Sequence, residues 1–288
     1  MIFAKSGTWW VQPTSDQPFT AIDPDSTWKS SIHLGTEYAA LLVEPQYRPP
    51  AKTDVLPAVG GGVLTVATEK GREVTPAPAK TIQFSGYDWV ARSADSDRGG
   101  WVNAYDPANA WTDENGFLHL RIAKRAGRWT GAEVRLARSL GYGSYSFVVH
   151  EIAHLPPTVV LGMFTWDDTI ADPNHRELDI EITRWGDPAS KNAQYVVQPY
   201  YVPTNVVRFT APPGTLTHSF HWEQGRAAFK TVRGNGAGAK AVADHVFTSG
   251  IPTSGGESVH LNLYIFGQDK DSVQNEVEVV VEKFQYLP

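Results

Sequence analysis

Glu177-Leu178-Asp179-Ile180-Glu181-Ile182 is the stretch from which this 288-residue chain is best read. On a β-strand alternate side chains share a face, so Leu178, Ile180 and Ile182 turn to one side and Glu177, Asp179 and Glu181 to the other. The apolar set suits burial in a core. The acidic set does nothing for stability, because three carboxylates at ~7 Å spacing on one face repel one another and oppose folding.

The same period of two recurs outward from this strand. Leu118, Leu120 and Ile122 alternate with His119 and Arg121. Tyr145, Phe147 and Val149 alternate with Ser146, Val148 and His150, and Leu261, Leu263 and Ile265 with Asn262 and Tyr264. Val277, Val279 and Val281 alternate with Glu278, Val280 and Glu282. This is the pattern of half-buried antiparallel strands. Turn signals separate them: Asn115-Gly116, Gly141-Tyr142-Gly143, Pro212-Pro213-Gly214 and Gly255-Gly256. No segment carries the period of an amphipathic helix, and no internal repeat is evident. Short strands regularly spaced over about 200 residues predict an all-β protein, an antiparallel sandwich or barrel. The Gly/Ala-rich stretch Gly234–Ala243 reads as a flexible loop.

The front of the chain differs. Residues 1–78 carry Pro-rich punctuation at Arg48-Pro49-Pro50-Ala51 and Pro76-Ala77-Pro78, a Gly60-Gly61-Gly62 run, and short apolar pieces at Tyr38–Glu44 and Val63–Ala67. The second piece reads as a strand; the first is ambiguous between strand and short helix. Two parts are expected: a small β-rich N-terminal extension over 1–78, whose role the sequence does not state, and the sandwich over 79–288.

Composition removes several functions. With 25 basic and 31 acidic residues the net charge is −6, which argues against a protein that tracks nucleic-acid phosphates. There is no cysteine, so disulfides, thiolate metal sites and cysteine nucleophiles are excluded. No apolar run approaches the ~18 residues of a membrane helix, and Met1 to Thr20 does not resemble an export signal. The nine histidines lack metal-ligand spacing, the Gly runs lack the phosphate-loop lysine, and no Ser-His-Asp arrangement stands out. Ten Trp and eleven Tyr exceed what a core easily buries without stranding an N–H or O–H, which predicts an aromatic surface.

The acidic face suits glycosidic chemistry. Glu177 and Glu181 are four residues, ~13 Å of backbone, apart. On a curved sheet their long side chains can lean together over the shorter Asp179, toward the ~5–5.5 Å separation of a retaining glycosidase. Crowding raises at least one carboxyl pKa, which keeps a proton available for the leaving oxygen. Three other readings compete: a solvated strand face, a Ca²⁺ or Mg²⁺ site helped by Asp167, Asp168 and Asp172, and a sugar-binding face without catalysis.

Glu177-Leu178-Asp179-Ile180-Glu181 resembles the E-x-D-x-E strand of glycoside hydrolase family 16, the laminarinase and lichenase group. Trp111-Thr112-Asp113-Glu114-Asn115-Gly116-Phe117-Leu118-His119-Leu120 is similar to that family's W-x-D-x-x-G-x-L-x-L strand pair, and Tyr142-Gly143-Ser144-Tyr145-Ser146-Phe147 to its Y-G-x-[FY]-x-[AF] strand. Thr217–Trp222, Leu261-Asn262-Leu263 and Val279–Tyr286 resemble later strands, in the family's order, so that the likeness covers residues 81–288. Two departures stand out. Leu161–Asp168 replaces a Trp-rich strand, and Arg176 stands where the family often has Gly.

The resemblance implies a concanavalin A-like jelly roll with a glycan cleft. It implies Glu177 as nucleophile, Glu181 as general acid/base, and Asp179 between them as orienting residue, with net retention by double displacement. The expected activity is endo-hydrolysis of a β-linked polysaccharide of glucan or galactan type. A transglycosylase using the same residues and a lectin-like binder that lacks catalysis are the alternatives. Sugars stack their C–H faces on aromatic rings, so Trp166 and Trp185, flanking the acidic strand, are expected platforms. Gln194, Gln198 and Tyr200, on a neighbouring strand and sharing a face, are expected to hydrogen-bond or stack on the sugar. His218 and Trp222 share a face with Phe220 and read as core. Trp9, Trp10 and Trp28 could form a further sugar surface or pack on the sandwich, the second being favoured. No cofactor is implied; the family sometimes carries a structural calcium away from the cleft, which no residue cluster here locates. The resemblance further implies a secreted or periplasmic monomer with a polysaccharide substrate and neither nucleic-acid nor membrane partners.

Overall fold

Alternating apolar and polar residues become strands along the chain. The structure, a computed structural model, describes residues 79–96, 103–170, 172–234, 238–267 and 272–288, together with the backbone of five strands before residue 79. The chain divides into two compact units, Met1–Ala77 and Pro78–Pro288. The first contains an antiparallel sheet of β1 (Ile2–Lys5), β2 (Thr8–Val11) and β3 (Thr20–Ile22), and a hairpin of β4 (Thr53–Pro57) and β5 (Val63–Ala67). The segment Tyr38–Glu44 and the side chains of Trp9, Trp10 and Trp28 lie outside the described residues.

The second unit is built from β6 (Thr81–Phe84), β7 (Tyr87–Ala91), β8 (Ala104–Tyr105), β9 (Ala110–Thr112), β10 (Leu118–Arg125), β11 (Arg128–Leu136), β12 (Gly143–Val149) and β13 (Val159–Trp166). It continues with β14 (Leu178–Ile182), β15 (Ala193–Val197), β16 (Val206–Phe209), β17 (Leu216–Glu223), β18 (Arg226–Arg233), β19 (Ala241–Phe247), β20 (Ser258–Ile265) and β21 (Val277–Leu287). Among the described residues the only helical pieces are two three-residue 3₁₀ turns, Pro107–Asn109 and Pro203–Asn205.

These strands form one continuous ladder that turns a corner at the β10–β11 hairpin. One leaf runs β6-β7-β11-β20-β13-β14-β15-β16, and the other β9-β10-β21-β12-β17-β18-β19. The two leaves pack face to face in an antiparallel sandwich with a single core. Trp89 of the first meets Phe284 of the second edge-on at 5.3 Å, and Tyr195 stacks on Phe229 at 5.1 Å. Leu178, Ile180 and Ile182 all point into that core, as do His218, Phe220 and Trp222 from the opposite leaf.

Two expectations need correction. The aromatic surplus is in good part core: Trp89, Trp222, Tyr145 and Tyr195 are fully buried. Their polar tips are not stranded, because each finds an acceptor nearby. Trp89 Nε1 donates to Phe84 O, Trp222 Nε1 to Pro252 O, Tyr145 OH to Gly141 O, and Tyr195 OH to Thr231 Oγ1 at 2.6 Å. Sandwich edges and turns supply free carbonyls that composition does not reveal. Nor is Gly234–Ala243 a loop throughout. Ala241 and Ala243 pair with Val232 and Thr231 as the start of β19. An edge strand needs only one partner, so small side chains suffice there.

Candidate active site

The acidic strand β14 lies inside the first leaf, between β13 and β15. Antiparallel register puts Asp179 opposite Phe164 on one side and Val196 on the other. Glu181 stands opposite Gly162 and Gln194, and Gln194 in turn opposite Arg208 of β16. Glu177 comes one residue before β14, and its carbonyl still accepts from Gln198 N at 3.3 Å. The carboxyls therefore sit on the face of the leaf turned away from the core, among apolar and amide neighbours. A Cβ at Gly162 would meet Asn262 Oδ1 at 2.5 Å, and the same oxygen accepts from Gly162 N. Glycine opposite Glu181 is thus what lets the Asn262 side chain lie across β13.

Environment separates the carboxyls. Asp179 is 3% exposed. Burial, then the neighbouring Glu177 charge, then a hydrogen bond with Glu177 hold its pKa well above the ordinary carboxylate value, against the bond from Gln198 Nε2 to Asp179 Oδ2 at 3.0 Å. The hydrogen bond between the Asp179 and Glu177 carboxyls requires a proton between them. Glu181 is pushed up to about 8, by burial first and by the Asp179 charge second. The Gln194 Nε2 bond to Glu181 Oε2 at 2.7 Å and the Arg208 charge oppose that rise. A carboxylic acid that keeps its proton at neutral pH can donate it.

The backbone entering Glu177 is bent. His175 and Arg176 both take left-handed conformations, φ 48° and 55°. What holds this bend is Asp167, at the end of β13. Burial alone would raise its pKa, but hydrogen bonds from Thr169 Oγ1, Thr169 N, Arg176 Nε and Gly256 N outweigh that and keep the carboxyl below its ordinary value. Arg176 Nε lies 3.1 Å from Asp167 Oδ2, and its Nη1 donates to Thr253 O. A Cβ at Gly255 would sit 2.6 Å from the guanidinium carbon, so glycine there gives the arginine its space. The residue that departs from the family pattern thus meets the left-handed demand usually met by glycine through an ion pair.

Trp166 ends β13 with its ring flat on His175, 3.9 Å away, and its Nε1 donating to Asp168 Oδ1 at 2.8 Å. Trp185 lies past the other end of β14, edge-on to Phe266. Gln194, on β15, and Gln198, one residue past its end, reach the carboxyls. Tyr200 does not share their strand face, because β15 ends at Val197 and Pro199 has no N–H to continue the ladder. Tyr200 sits in the following turn, its N–H on Gln198 Oε1 at 2.8 Å, and its ring is 66% exposed beside Tyr201 at 74%.

Sequence reasoning gave no role to Arg208, Asn262 or Phe164. It also missed a buried charge network on the same face: His260, stacked on Phe164, bonds Glu133 Oε1 at 3.0 Å, and Arg92 bonds Glu133 Oε2 at 2.6 Å. Lone residues on regular strands give no local signal of such partners. Among the described residues no group of three or more His, Asp or Glu is arranged to hold a metal ion, and no helix is long and apolar enough to cross a membrane.

No protein-family model and no curated protein matches the sequence. Solved structures do. A β-glucanase of Bacillus licheniformis superposes with a TM-score of 0.54 at 18% identity, over 74% of this chain and 100% of that one. A glycoside hydrolase family 16 endo-glucanase from Bacteroides ovatus gives 0.50 at 14%, over 69% and 94%. A Mycobacterium tuberculosis protein described as an immunostimulatory antigen and pseudo β-1,3-glucanase gives 0.52 at 17%, over 72% and 93%. At these identities the likeness is one of fold: the described strands of the second unit form the sandwich of the family 16 glucanases.

Proposed function

We propose that this protein is a retaining endo-glycosidase that hydrolyses a β-linked polysaccharide, of β-glucan type, by double displacement. The observation that carries this reading is the row of carboxyls on the face of the leaf turned from the core: Glu177 hydrogen-bonded to Asp179, Asp179 held by Gln198 Nε2 at 3.0 Å, and Glu181 held by Gln194 Nε2 at 2.7 Å with burial raising its pKa. Glu177 attacks the anomeric carbon as a carboxylate, steadied by the Asp179 O–H. Glu181 gives its proton to the leaving oxygen, so that no alkoxide departs. The Glu181 carboxylate then takes a proton from water, which attacks the glycosyl-enzyme and restores Glu177. Tyr200 and Tyr201 offer exposed ring faces close in sequence to Gln198 and serve as stacking platforms, with Trp166 and Trp185 at the two ends of β14. Gln198 orients Asp179 and leaves its second amide proton for a sugar hydroxyl.

The test is Glu177→Ala and Glu181→Ala on a panel of β-glucans, galactans and xyloglucan, with azide as external nucleophile. Loss of polysaccharide hydrolysis in both is expected; on an aryl β-oligosaccharide, whose leaving group departs without an acid, azide should give inverted glycosyl azide from Glu177→Ala and retained azide from Glu181→Ala. Full activity in either variant would overturn the assignment. One fold neighbour is described as a pseudo-glucanase, which favours a second reading, glycan binding without turnover. Tight binding of a panel glycan with no new reducing ends would establish it. Products lengthened on an added oligosaccharide acceptor would instead mark a transglycosylase.

A further inference from the structure

We propose that Arg208 is a positioning residue for this reaction: it fixes the Gln194 amide, and through that amide it decides which oxygen of Glu181 is held and which faces the substrate. This rests on Glu181 being the acid/base. The three residues are in register across neighbouring strands, Arg208 on β16, Gln194 on β15 and Glu181 on β14. Arg208 Nε donates to Gln194 Oε1 at 3.1 Å, and Gln194 Nε2 donates to Glu181 Oε2 at 2.7 Å.

The order of donors follows from chemistry. A guanidinium has no acceptor, so the amide oxygen must face Arg208 and the amide NH₂ must then face Glu181. Gln194 is buried, and rotating its amide would set NH₂ against the guanidinium and break both bonds. Arg208 is itself anchored: its Nη1 lies 3.4 Å from Ser190 Oγ and its carbonyl accepts from Lys191 Nζ. The remaining groups around Glu181 cannot substitute. From β13 it meets only Gly162, overlaid by Asn262. Along its own run stand Asp179 and Glu177, both acidic. Glu133 of β11, further along the register, is engaged by Arg92 and His260. Arg208 is thus the one cation joined by hydrogen bonds to Glu181 among the described residues.

Two effects follow when Arg208 is removed. The cation's field is lost, and Gln194 becomes free to turn its oxygen toward Glu181 and accept that residue's proton. Both favour protonated Glu181, so the alkaline limb of the pH–rate profile moves up and the held oxygen loses its bond.

The experiment measures kcat and KM against pH on the panel glycan that the intact protein cleaves, for wild type, Arg208→Met, Arg208→Lys and Glu181→Gln. In Arg208→Met the alkaline limb is expected about 0.5–1 pH unit higher, with kcat at the optimum down about 3- to 10-fold and KM within about twofold. Arg208→Lys, which keeps the charge and a donor, restores the limb at least halfway. An unmoved limb in Arg208→Met, or a KM rise with the limb unmoved, overturns the proposal; the second outcome would make Arg208 a sugar contact. Inactive Glu181→Gln together with an unmoved Arg208→Met limb refutes only the relay, whereas fully active Glu181→Gln refutes the acid/base reading beneath it.

Discussion

Replacing Glu181 by Gln should make the protein more stable at neutral and alkaline pH while removing the proposed acid catalyst. The folded protein raises this carboxyl from 4.5 to about 8, so folding favours its protonated form. The stability linked to that proton is fully present below pH 4.5 and is lost as pH rises through about 8. At pH 7 the unfolded carboxyl has ionised and the folded one has not. The 2.5 pH units between 4.5 and 7, at about 1.4 kcal/mol each, set a ceiling of about 3.5 kcal/mol on the penalty. The Asp179 charge contributes to the rise only where Asp179 is ionised, and solvent screens a half-buried group, so about 1–3 kcal/mol is the expected gain for Glu181→Gln at pH 7. Glutamine keeps an acceptor for Gln194 Nε2, so little else is lost. Urea unfolding followed by tryptophan fluorescence, from pH 4 to 9, reads the difference directly. It should be near zero at pH 4, grow through neutrality and level off above pH 8. A variant whose advantage does not grow with pH, or which is less stable at pH 8, would refute the idea that folding holds a proton on Glu181.

Further outcomes follow from the same geometry. Asp179→Asn retains a donor toward Glu177 and should lower kcat less than Asp179→Ala, about 10-fold against about 100-fold or more, with KM little changed in steady-state assays. Arg176→Gly and Arg176→Ala both leave the buried Asp167 without its cation, at a cost of about 1–3 kcal/mol in thermal unfolding at pH 7. Alanine should be the worse by about 1 kcal/mol, because φ 55° is strained for a residue with a Cβ and free of strain for glycine. Equal stability of those two variants would mean that the left-handed bend is not retained. Tyr200→Ala and Tyr201→Ala, which remove exposed rings, should each raise KM about 3- to 10-fold with unfolding midpoints unchanged; a changed midpoint with unchanged KM would assign the rings to structure.

The strands and the acidic face were legible because both rest on a period of two. Leu178, Ile180 and Ile182 had to be buried together once any one of them was, and the carboxyls followed on the other side. The same logic placed Phe220 and Trp222 in the core. What failed was reasoning from totals. Counting Trp and Tyr cannot show that Trp89 finds the carbonyl of Phe84 or Tyr195 the hydroxyl of Thr231, since those partners are set by pairing between distant strands. For the same reason Arg208 gave no sign: Val206–Phe209 is four residues long, and the arginine acquires meaning only from its register with Gln194 and Glu181. Arg176 is the intermediate case. Its departure from the family's glycine was visible, but only the buried Asp167 explains how the position tolerates it.

The neighbours of the carboxyls show why the acidic face is built with amides. Two carboxyls that must differ in protonation need an environment that raises one without silencing the other. Phe164 and Val196 flank Asp179 in register, and burial holds its pKa above the ordinary carboxylate value. An arginine in place of Gln194, directly against Glu181, would offset the burial of Glu181 and pull its pKa toward the ordinary value, leaving no proton to give at neutral pH. Glutamine does less: it holds one oxygen of Glu181 by a neutral donor, and the cation is set one strand further out on Arg208. The protein accepts the instability of a half-buried acid at that position, and in the proposed mechanism the proton that this burial retains is the one the leaving oxygen requires.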